Sequence, residues 1–448
     1  GRLAGLPRFG QKTADNIRKS IAFLRQASAY RLAHHAADEA RTLVEALGRV
    51  PGVLSATAAG EVRRRSEVVK DLVVVLVAEV PAAEIFARLG QVAGVHEFAG
   101  QDERHVTLRF VGGTTAQIIV TPPLNAGAVL VQATGSDAHL RQLEARATRE
   151  GCSLRGAALW RGSEFVPTPD EEALYRALGL AWIPPELREG GQEIDTAVTG
   201  AIPTLLEPGD LRGFLHCHTN YSDGSNSVSE LAHGVAAAGY EWIGITDHSQ
   251  SAAYAGGLSP DGLRRQGAEI AEVGAGMPGC RILHGVEADI LADGTLDYED
   301  DVLARLDFVI GSIHSRFNLT GPEMTARVLA ALDNPYLTIL GHPTGRLLLS
   351  RDAYAIDLEA VFAKAGARGV AIEINADPHR LHLDWRVLRS ARAQGVMISI
   401  GADAHNLAGL GNVAYGVGIA RKGWLGPADI LNTRTAEGFL EFARARRG

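Results

Sequence analysis

Two histidines separated by one residue, His216 and His218, follow a short apolar run in the second half of the chain. Alternate side chains of a β-strand point to the same face, so these two imidazoles are placed to bind one metal ion together. Asp223 comes soon afterwards, on a turn that Gly224 can close. One His-x-His pair is a weak indication of a metal site, but here it is the first of a series.

Six further apolar runs follow, and each ends in polar residues. Within three residues of these ends stand His248, Glu287, His314, His342, Asn375, Asp403 and His405. Amphipathic helical patterns lie between the runs, at residues 227–238, 261–274, 323–332 and 356–367. Short apolar strands that alternate with such helices predict a parallel sheet with helices outside it. Seven units in succession favour a closed or nearly closed barrel, whose chemistry collects at the carboxyl ends of the strands.

The potential metal ligands at these ends are of two chemical types, imidazole and carboxylate. They are His216, His218, Asp223, His248, Glu287, His314, His342, Asp403 and His405. A structural role would explain any single histidine, but it does not explain the recurrence. The mixture favours Mn²⁺ or Zn²⁺, with Fe²⁺ as a third candidate, over a Ca²⁺ site built only from oxygen. One ion cannot use so many ligands, so two to three divalent ions are expected, and such ions activate water for phosphate ester hydrolysis.

Four basic residues close to the same elements could act on a phosphate group. We predict that Arg346, Arg380 and Arg421 clamp phosphoryl oxygens and that His379 protonates the leaving oxygen. A structural salt bridge is the alternative for each arginine.

The first 200 residues have a different character. The first 70 carry 13 Lys and Arg against 6 Asp and Glu, although the whole chain has a net charge of −8. A basic leading segment suits a partner rich in phosphate. A tight turn at residues 6–13 leads into a helix, where Gly10 and Lys12 could contact a DNA phosphate, with an ordinary helix–helix corner as the alternative. Arg63 and Arg64 precede an apolar strand and are either a second phosphate contact or solvated charges.

Residues 60–77 resemble the palm of family X DNA polymerases, in which an arginine-bearing turn precedes a strand that carries Asp-x-Asp. Residues 134–136 and 167–189 resemble the thumb of these enzymes, and residues 6–13 resemble the helix-hairpin-helix of DNA repair proteins. Such a palm needs clustered carboxylates for two Mg²⁺ ions, but only Asp71 is present, because Val73 and Gln117 occupy the other two positions. We therefore expect a degenerate palm that holds DNA and polymerises it weakly or not at all. Since the chain opens inside this likeness, a truncated N-terminus is also expected.

Residues 211–448 resemble the PHP (polymerase and histidinol phosphatase) superfamily, in the form fused behind bacterial family X polymerases. Residues 341–346, 373–376 and 420–425 carry this particular likeness. The resemblance implies a distorted (β/α)7 barrel with three metal ions. By the family pattern, the first ion is held by His216, His218, Glu287 and Asp403, and the second by Asp223, His248 and His405. Glu287 bridges to the third ion, which His314 and His342 complete.

The expected fold class is therefore multidomain α/β. It comprises a helical helix-hairpin-helix remnant (1–50), an α+β nucleotidyltransferase-like palm (51–135), a thumb-like segment (136–200), a linker (201–210) and the PHP barrel (211–448).

By this resemblance the expected function is a metal-dependent phosphodiesterase on DNA ends, a 3′→5′ exonuclease or 3′-end processing enzyme of DNA repair. Its expected partner is gapped or 3′-ended duplex DNA, or a single strand. The alternatives are a phosphomonoesterase for a small metabolite such as histidinol phosphate, a family X DNA polymerase, and a non-catalytic DNA-binding protein. No apolar run is long enough to span a bilayer, and three scattered cysteines favour a reducing compartment. We expect a monomer in the cytoplasm, associated with the nucleoid.

Overall fold

The computed structural model describes residues 15, 17, 18, 21, 29–111 and 113–447. The chain divides into two compact units, residues 1–202 and 203–448. The predicted helix-hairpin-helix, with Gly10 and Lys12, lies outside the described residues. No helix among the described residues is both long enough and apolar enough to cross a membrane.

A five-stranded mixed sheet forms the centre of the first unit. In spatial order its strands are β2 (Val53–Ala58), β4 (Leu72–Ala78), β7 (Thr115–Thr121), β6 (His105–Phe110) and β5 (Val95–Gln101). The central strands β4 and β7 are parallel, and the other neighbouring strands are antiparallel. A separate antiparallel pair is formed by β1 (Arg31–Leu32) and β3 (Val68–Val69), and β3 directly precedes β4 in the chain.

Helices cover both faces of the sheet, which explains why β4 is apolar at every position. Leu72, Val74 and Leu76 share one hydrophobic cluster with helices α1 (Ala33–Gly48) and α3 (Ala82–Leu89). On the opposite face, Val75 packs with Val129 of α4 (Ala126–Thr134). The short helix α2 (Gly60–Arg63) precedes β3 and β4.

The remainder of the first unit combines helices with a small antiparallel sheet. Its elements are α5 (Asp137–Arg149), β8 (Cys152–Arg155), β9 (Ala158–Arg161), β10 (Glu164–Val166), α6 (Glu171–Ala177) and α7 (Glu193–Val198). Side-chain caps fix where two of these helices begin, because Ser136 accepts a hydrogen bond from the His139 amide at 3.1 Å and Asp170 accepts one from the Ala173 amide at 2.7 Å.

Parallel strands form a barrel in the second unit. They are β11 (Gly213–Cys217), β12 (Trp242–Ile245), β13 (Arg281–His284), β14 (Glu287–Asp289), β15 (Ile310–Ser312), β16 (Ile339–Leu340), β17 (Ala371–Asn375) and β18 (Ile398–Ala404). Hydrogen bonds join them in the order β13-β12-β11-β18-β17-β16-β15-β14. Because β13 and β14 are two halves of one extended run, broken at Gly285 and Val286, the order closes into a ring of seven. The structure thus confirms the predicted barrel.

Phe308 fills part of the barrel interior, and two glycines make room for it. A Cβ atom on Gly244 or on Gly285 would lie 2.6 Å from the Phe308 ring. Such an approach is too close for any larger residue without displacing the ring. Leu215, Leu283 and other buried residues from the strands complete this core.

Helices pack outside the barrel, and those between strands carry the chain back toward the start of the next strand. They are α8 (Val228–Ala237), α9 (Pro260–Ala275), α10 (Asp300–Leu303), α11 (Gly321–Ala331), α12 (Leu358–Arg368), α13 (Trp385–Ala393), α14 (Val413–Lys422) and α15 (Ala436–Arg444). Capping boxes mark the beginnings of α8, at Ser227 and Glu230, and of α11, at Thr320 and Glu323. Since all strands run in the same direction, their carboxyl ends meet on one face of the barrel.

Candidate metal centre

The structure brings all nine predicted ligands together at the carboxyl ends of the barrel strands. Their ligand atoms form four overlapping groups, in each of which the atoms lie within 4.8 Å of one another. The groups are His218, Asp223, His248 and His405; His216, His218 and Asp403; His216, Glu287 and His342; and His248, Glu287 and His314. Within the described part of the chain, every such group lies in the barrel.

Glu287 occupies the middle of the centre and is 1% exposed. Its Oε1 lies 2.8 Å from Nε2 of His342 and 3.4 Å from Nε2 of both His216 and His314. Its Oε2 lies 3.0 Å from Nδ1 of His248 and 3.7 Å from Nε2 of His218. One carboxylate is thus approached by five imidazoles from four different strand ends, which suits a ligand shared between ions. The resemblance assigned His314 and His342 to one ion; here both approach Glu287 Oε1, although each falls in a different group.

Asp223 and Asp403 define the outer part of the centre. Asp223 lies 3.4 Å from Nε2 of His405 and 3.6 Å from Nε2 of His248. Asp403 lies 3.4 Å from Nε2 of His218. Hydrogen bonds to Asp247 hold the loop that bears Asp223. The Asp247 carboxylate accepts one from the Thr219 amide at 2.8 Å and one from the Thr219 hydroxyl at 2.7 Å.

The residues of the centre fit divalent cations. Several of their buried polar atoms have no hydrogen-bond partner: His216 Nε2, His218 Nδ1 and Nε2, His248 Nδ1 and Glu287 Oε2. A buried polar atom without a partner costs about 1–3 kcal/mol, and a group of such atoms at one place fits a site that binds cations. Imidazole with carboxylate is a donor set that transition metal ions accept.

The protonation states of the two central carboxylates and of His248 also favour cations, although, against the effect of burial, Glu287 and Asp289 raise the pKa of His314 to about 10. Burial by itself would raise the pKa of Glu287, but the surrounding imidazoles, His216 first, hold that pKa well below its usual value. The pKa of Asp403 is likewise held well below its usual value by His216, despite its burial. Burial lowers the pKa of His248 to about 4. Ionised carboxylates and a neutral imidazole are the forms that bind metal.

Three candidate ligands have left-handed backbone conformations: His216 with φ 63°, Asp403 with φ 50° and His342 with φ 22°. Residues with a Cβ rarely adopt this region, and such strain concentrates at functional sites. The pairing of β11 is irregular between Phe214 and Cys217 toward β12 and between Leu215 and Cys217 toward β18, and His216 lies within both intervals. The surrounding barrel therefore imposes the orientation of these side chains.

The sequence did not reveal which residues position the ligands, although it placed Asn375 at a strand end. Glu373 accepts hydrogen bonds from His216 Nδ1 and, at 2.8 Å, from the His342 amide. Asp289 lies 2.7 Å from Nδ1 of His314, and Asn375 donates to Asp403 at 3.0 Å. The alternation of side chains along a strand could have indicated two of them. Asp289 stands two residues after Glu287, and Glu373 stands two residues before Asn375, so the members of each pair share one face of their strand.

Of the four predicted phosphate-binding residues, Arg380 lies at the centre. Its Nε is 3.3 Å from Asp403 Oδ2. Arg346 supports the loop that bears Arg380, because it donates to the Arg380 carbonyl at 3.1 Å and lies 3.3 Å from the Asp384 carboxylate. His379 is exposed and pairs with Asp377 at 2.9 Å.

Arg421, which was predicted to clamp phosphoryl oxygens, does not lie at the candidate metal centre. It lies in the last turn of α14, and its guanidinium donates to the Leu206 carbonyl at 2.9 Å and to the Glu207 carboxylate at 2.5 Å. Leu206 and Glu207 belong to the segment that enters the barrel before β11, at the amino ends of the strands. The structure thus gives Arg421 the alternative role, a salt bridge on the opposite face from the candidate metal centre.

The three positions compared with the palm carboxylates lie on or beside the first sheet. Val73 on β4 and Gln117 on β7 are directly paired across the two parallel strands, and Asp71 immediately precedes β4. Val73 and Gln117 line a cavity of about 500 Å³ together with His105, Gln132 and Glu144. Two of the three positions that would carry carboxylates in a polymerase thus present an apolar and an amide side chain.

Arg63 and Arg64 also have partners within the first unit. Arg63 forms two hydrogen bonds with the Glu171 carboxylate, at 2.6 and 2.9 Å, and Arg64 lies 3.0 Å from Glu189. Both side chains are mostly buried. They join α2 to the thumb-like segment and are therefore not solvated charges on a turn, whereas their contact with a DNA phosphate stays a prediction.

Comparison with known proteins identifies the two halves of the chain. Residues 129–189 match the DNA polymerase beta thumb family, and residues 215–377 match the PHP domain family. The chain is 36% identical over 448 residues to the "DNA polymerase/3'-5' exonuclease PolX" of Bacillus subtilis, an alignment that covers 98% of this chain and 78% of the relative. The chain belongs to the PolX family of bacterial family X DNA polymerases with a C-terminal PHP domain.

The PHP barrel of this PolX-family chain also has smaller relatives. A "Probable phosphatase" of Acetivibrio thermocellus is 35% identical over 164 residues, which are 36% of this chain and 63% of the relative. A probable phosphatase of Clostridium novyi is 39% identical over 100 residues, which are 22% of this chain and 38% of the relative. PHP domains are metal-dependent, in agreement with the four ligand groups at the strand ends.

Proposed function

We propose that the barrel hydrolyses phosphodiester bonds at the 3′ ends of DNA, as a 3′→5′ exonuclease that needs two to three Mn²⁺ or Zn²⁺ ions. The observation that carries this proposal is Glu287, a buried carboxylate within 3.7 Å of ring nitrogens from five histidines. The name of the Bacillus subtilis relative includes a 3′–5′ exonuclease, which supports DNA as the substrate.

Each side chain of the centre has a role under this proposal. The ions, held by the nine ligands, would supply Lewis-acid activation of water and of the phosphoryl group. Arg380 binds a phosphoryl oxygen, since Asp403 fixes its guanidinium beside the ligands. Glu373 and Asp289 hold His216 and His314 in the orientation that directs Nε2 toward Glu287.

The first unit holds DNA in this proposal and polymerises it weakly or not at all. Nucleotidyl transfer requires several carboxylates around two ions, and Val73 and Gln117 cannot supply them. Asp71→Ala should therefore leave any templated extension unchanged. Robust extension that Asp71→Ala abolishes would contradict this part of the proposal.

The test of the nuclease is digestion of a 5′-labelled gapped duplex in the presence of Mn²⁺. We expect a ladder of products shortened from the 3′ end, lost with a chelator and at least about 100-fold slower in His342→Ala. His233→Ala is the matched control, because His233 is an exposed histidine of α8 outside the ligand groups. Undiminished shortening by His342→Ala would show that the barrel is not the nuclease.

A phosphomonoesterase for a small metabolite is the second candidate, and the probable phosphatases that match the barrel favour it. Competition separates the two candidates. If DNA is the substrate, single-stranded DNA should inhibit hydrolysis of a small chromogenic phosphate. Rapid hydrolysis of the small phosphate without inhibition by DNA, and without shortening of the duplex, would favour the phosphatase.

A further inference from the structure

Tyr254 is an aromatic side chain that the barrel leaves largely in solvent. It is 72% exposed, although most large apolar side chains of the same unit are buried in its cores. A single exposed ring is ordinary on a protein surface, so the position of this ring beside the candidate metal centre, rather than its exposure, is what makes it a candidate contact for a ligand.

The loop that carries Tyr254 is held in a defined conformation. It spans residues 249–258 after β12, with Tyr254 in a short 3-10 turn, Ala253–Ala255. Its two ends pair with each other, because the Leu258 amide donates to the His248 carbonyl at 2.8 Å. Ala252 and Ala255 anchor it as buried neighbours of the exposed tyrosine. A Cβ atom on Gly257 would lie 1.9 Å from the Ser249 carbonyl oxygen, so the loop closes tightly on itself.

This loop places the tyrosine ring at the edge of the metal centre. The ring centroid of Tyr254 is 6.1 Å from that of His248 and 6.3 Å from that of His314. Both histidines approach Glu287, at 3.0 and 3.4 Å. A phosphate bound at the centre would therefore have its neighbouring sugar and base within reach of this ring.

We propose that Tyr254 is the stacking platform for the nucleobase of the terminal nucleotide, so that the centre has a subsite for an unpaired base next to its phosphate site. This inference rests on the proposed function. Every base has a planar face, so stacking on one ring accepts all four bases, as stepwise removal of nucleotides requires. The surrounding groups at the centre are imidazoles and carboxylates, which serve a phosphate and metal ions rather than an apolar face.

The proposal is tested by varying the ring and the base together, with the full chain and Mn²⁺. The variants are Tyr254→Phe, which keeps an aromatic face, Tyr254→Leu, which keeps apolar bulk, and Tyr254→Ala. The substrates are two single-stranded oligonucleotides of equal length that differ only in whether the 3′-terminal residue has a base or is abasic. Removal of the terminal residue is measured as kcat and KM, and metal content and thermal unfolding are compared across the variants.

We expect Tyr254→Ala and Tyr254→Leu to raise KM for the base-bearing end by roughly 5- to 150-fold, with Tyr254→Phe close to the wild type. The abasic end should have a similarly raised KM with the wild type and should be insensitive to all three substitutions. An equal effect of Tyr254→Ala on both ends, or a Phe variant as impaired as the Ala variant, would overturn the stacking platform. Failure of the wild type to shorten either oligonucleotide would instead overturn the proposed function, and the inference with it.

Discussion

Replacing Glu373 by glutamine should weaken metal binding by the barrel while leaving its fold intact. Glu373 is 1% exposed, and each of its two oxygens has a separate task. Oε1 accepts from His216 Nδ1, and Oε2 accepts from the His342 amide at 2.8 Å and from Asn375 Nδ2 at 3.3 Å. With its hydrogen on Nδ1, His216 presents the lone pair of Nε2 to the centre.

A glutamine side chain has one acceptor and one donor where Glu373 has two acceptors. If its NH₂ faces His342, the backbone amide and Asn375 lose their acceptor. If its NH₂ faces His216, the imidazole must carry its hydrogen on Nε2, where it can no longer bind a cation. The first arrangement leaves two buried donors without that acceptor, and the second removes His216 Nε2 as a ligand. A loss equal to one unmade buried hydrogen bond, about 1–3 kcal/mol, corresponds to a roughly 5- to 150-fold loss of metal affinity.

Competition with a fluorescent chelator measures this loss for Zn²⁺ and Mn²⁺. Glu359→Gln is the matched control, because Glu359 is an exposed carboxylate on α12 that bonds to Ser390 at 2.7 Å, outside the ligand groups. Thermal unfolding in the presence of a chelator checks that Glu373→Gln still folds. Wild-type metal affinity in a folded Glu373→Gln would refute the argument that Glu373 sets the tautomer of His216.

Two further predictions concern packing and pH. Gly401→Ala places a Cβ atom 1.8 Å from Glu373 Oε1, so metal affinity in the chelator assay should fall at least about 10-fold. Gly411→Ala is the control, because its Cβ atom meets nothing within 4 Å, and it should leave the affinity unchanged. Burial by itself would raise the pKa of Glu171, but hydrogen bonds from Arg188 and Arg63 lower it from 4.5 to about 2. A lowered pKa stabilises the fold above the unfolded pKa, so wild-type stability from this group should fall by about 2 kcal/mol between pH 5 and pH 3. Urea unfolding should show a shallower loss over this range in Glu171→Gln, and equal pH dependence of the two proteins would contradict the assignment.

Contacts between residues distant in the sequence changed several interpretations in the first unit. Arg63 and Arg64 are next to a strand that resembles a polymerase palm, and a local pattern cannot reveal that their charges are used internally. Glu171, 108 residues further on, accepts two hydrogen bonds from Arg63 and is shared with the buried Arg188. The absence of carboxylates at Val73 and Gln117, in contrast, could be read from the sequence, and the structure adds that these two positions are paired neighbours.

The sequence by itself determined the barrel and its nine candidate ligands, because both follow from local periodicity. Apolar strands alternate with amphipathic helices, parallel strands end on one face, and the polar residue after each strand must then lie on that face. Tertiary structure alone decided which atoms meet. It placed Glu287 among five imidazoles. It gave His216 and His342 a common partner in Glu373, which stands 157 and 31 residues away from them. It also placed Arg421 on the other face of the barrel. These contacts depend on strand register and helix direction, which no short stretch of residues specifies.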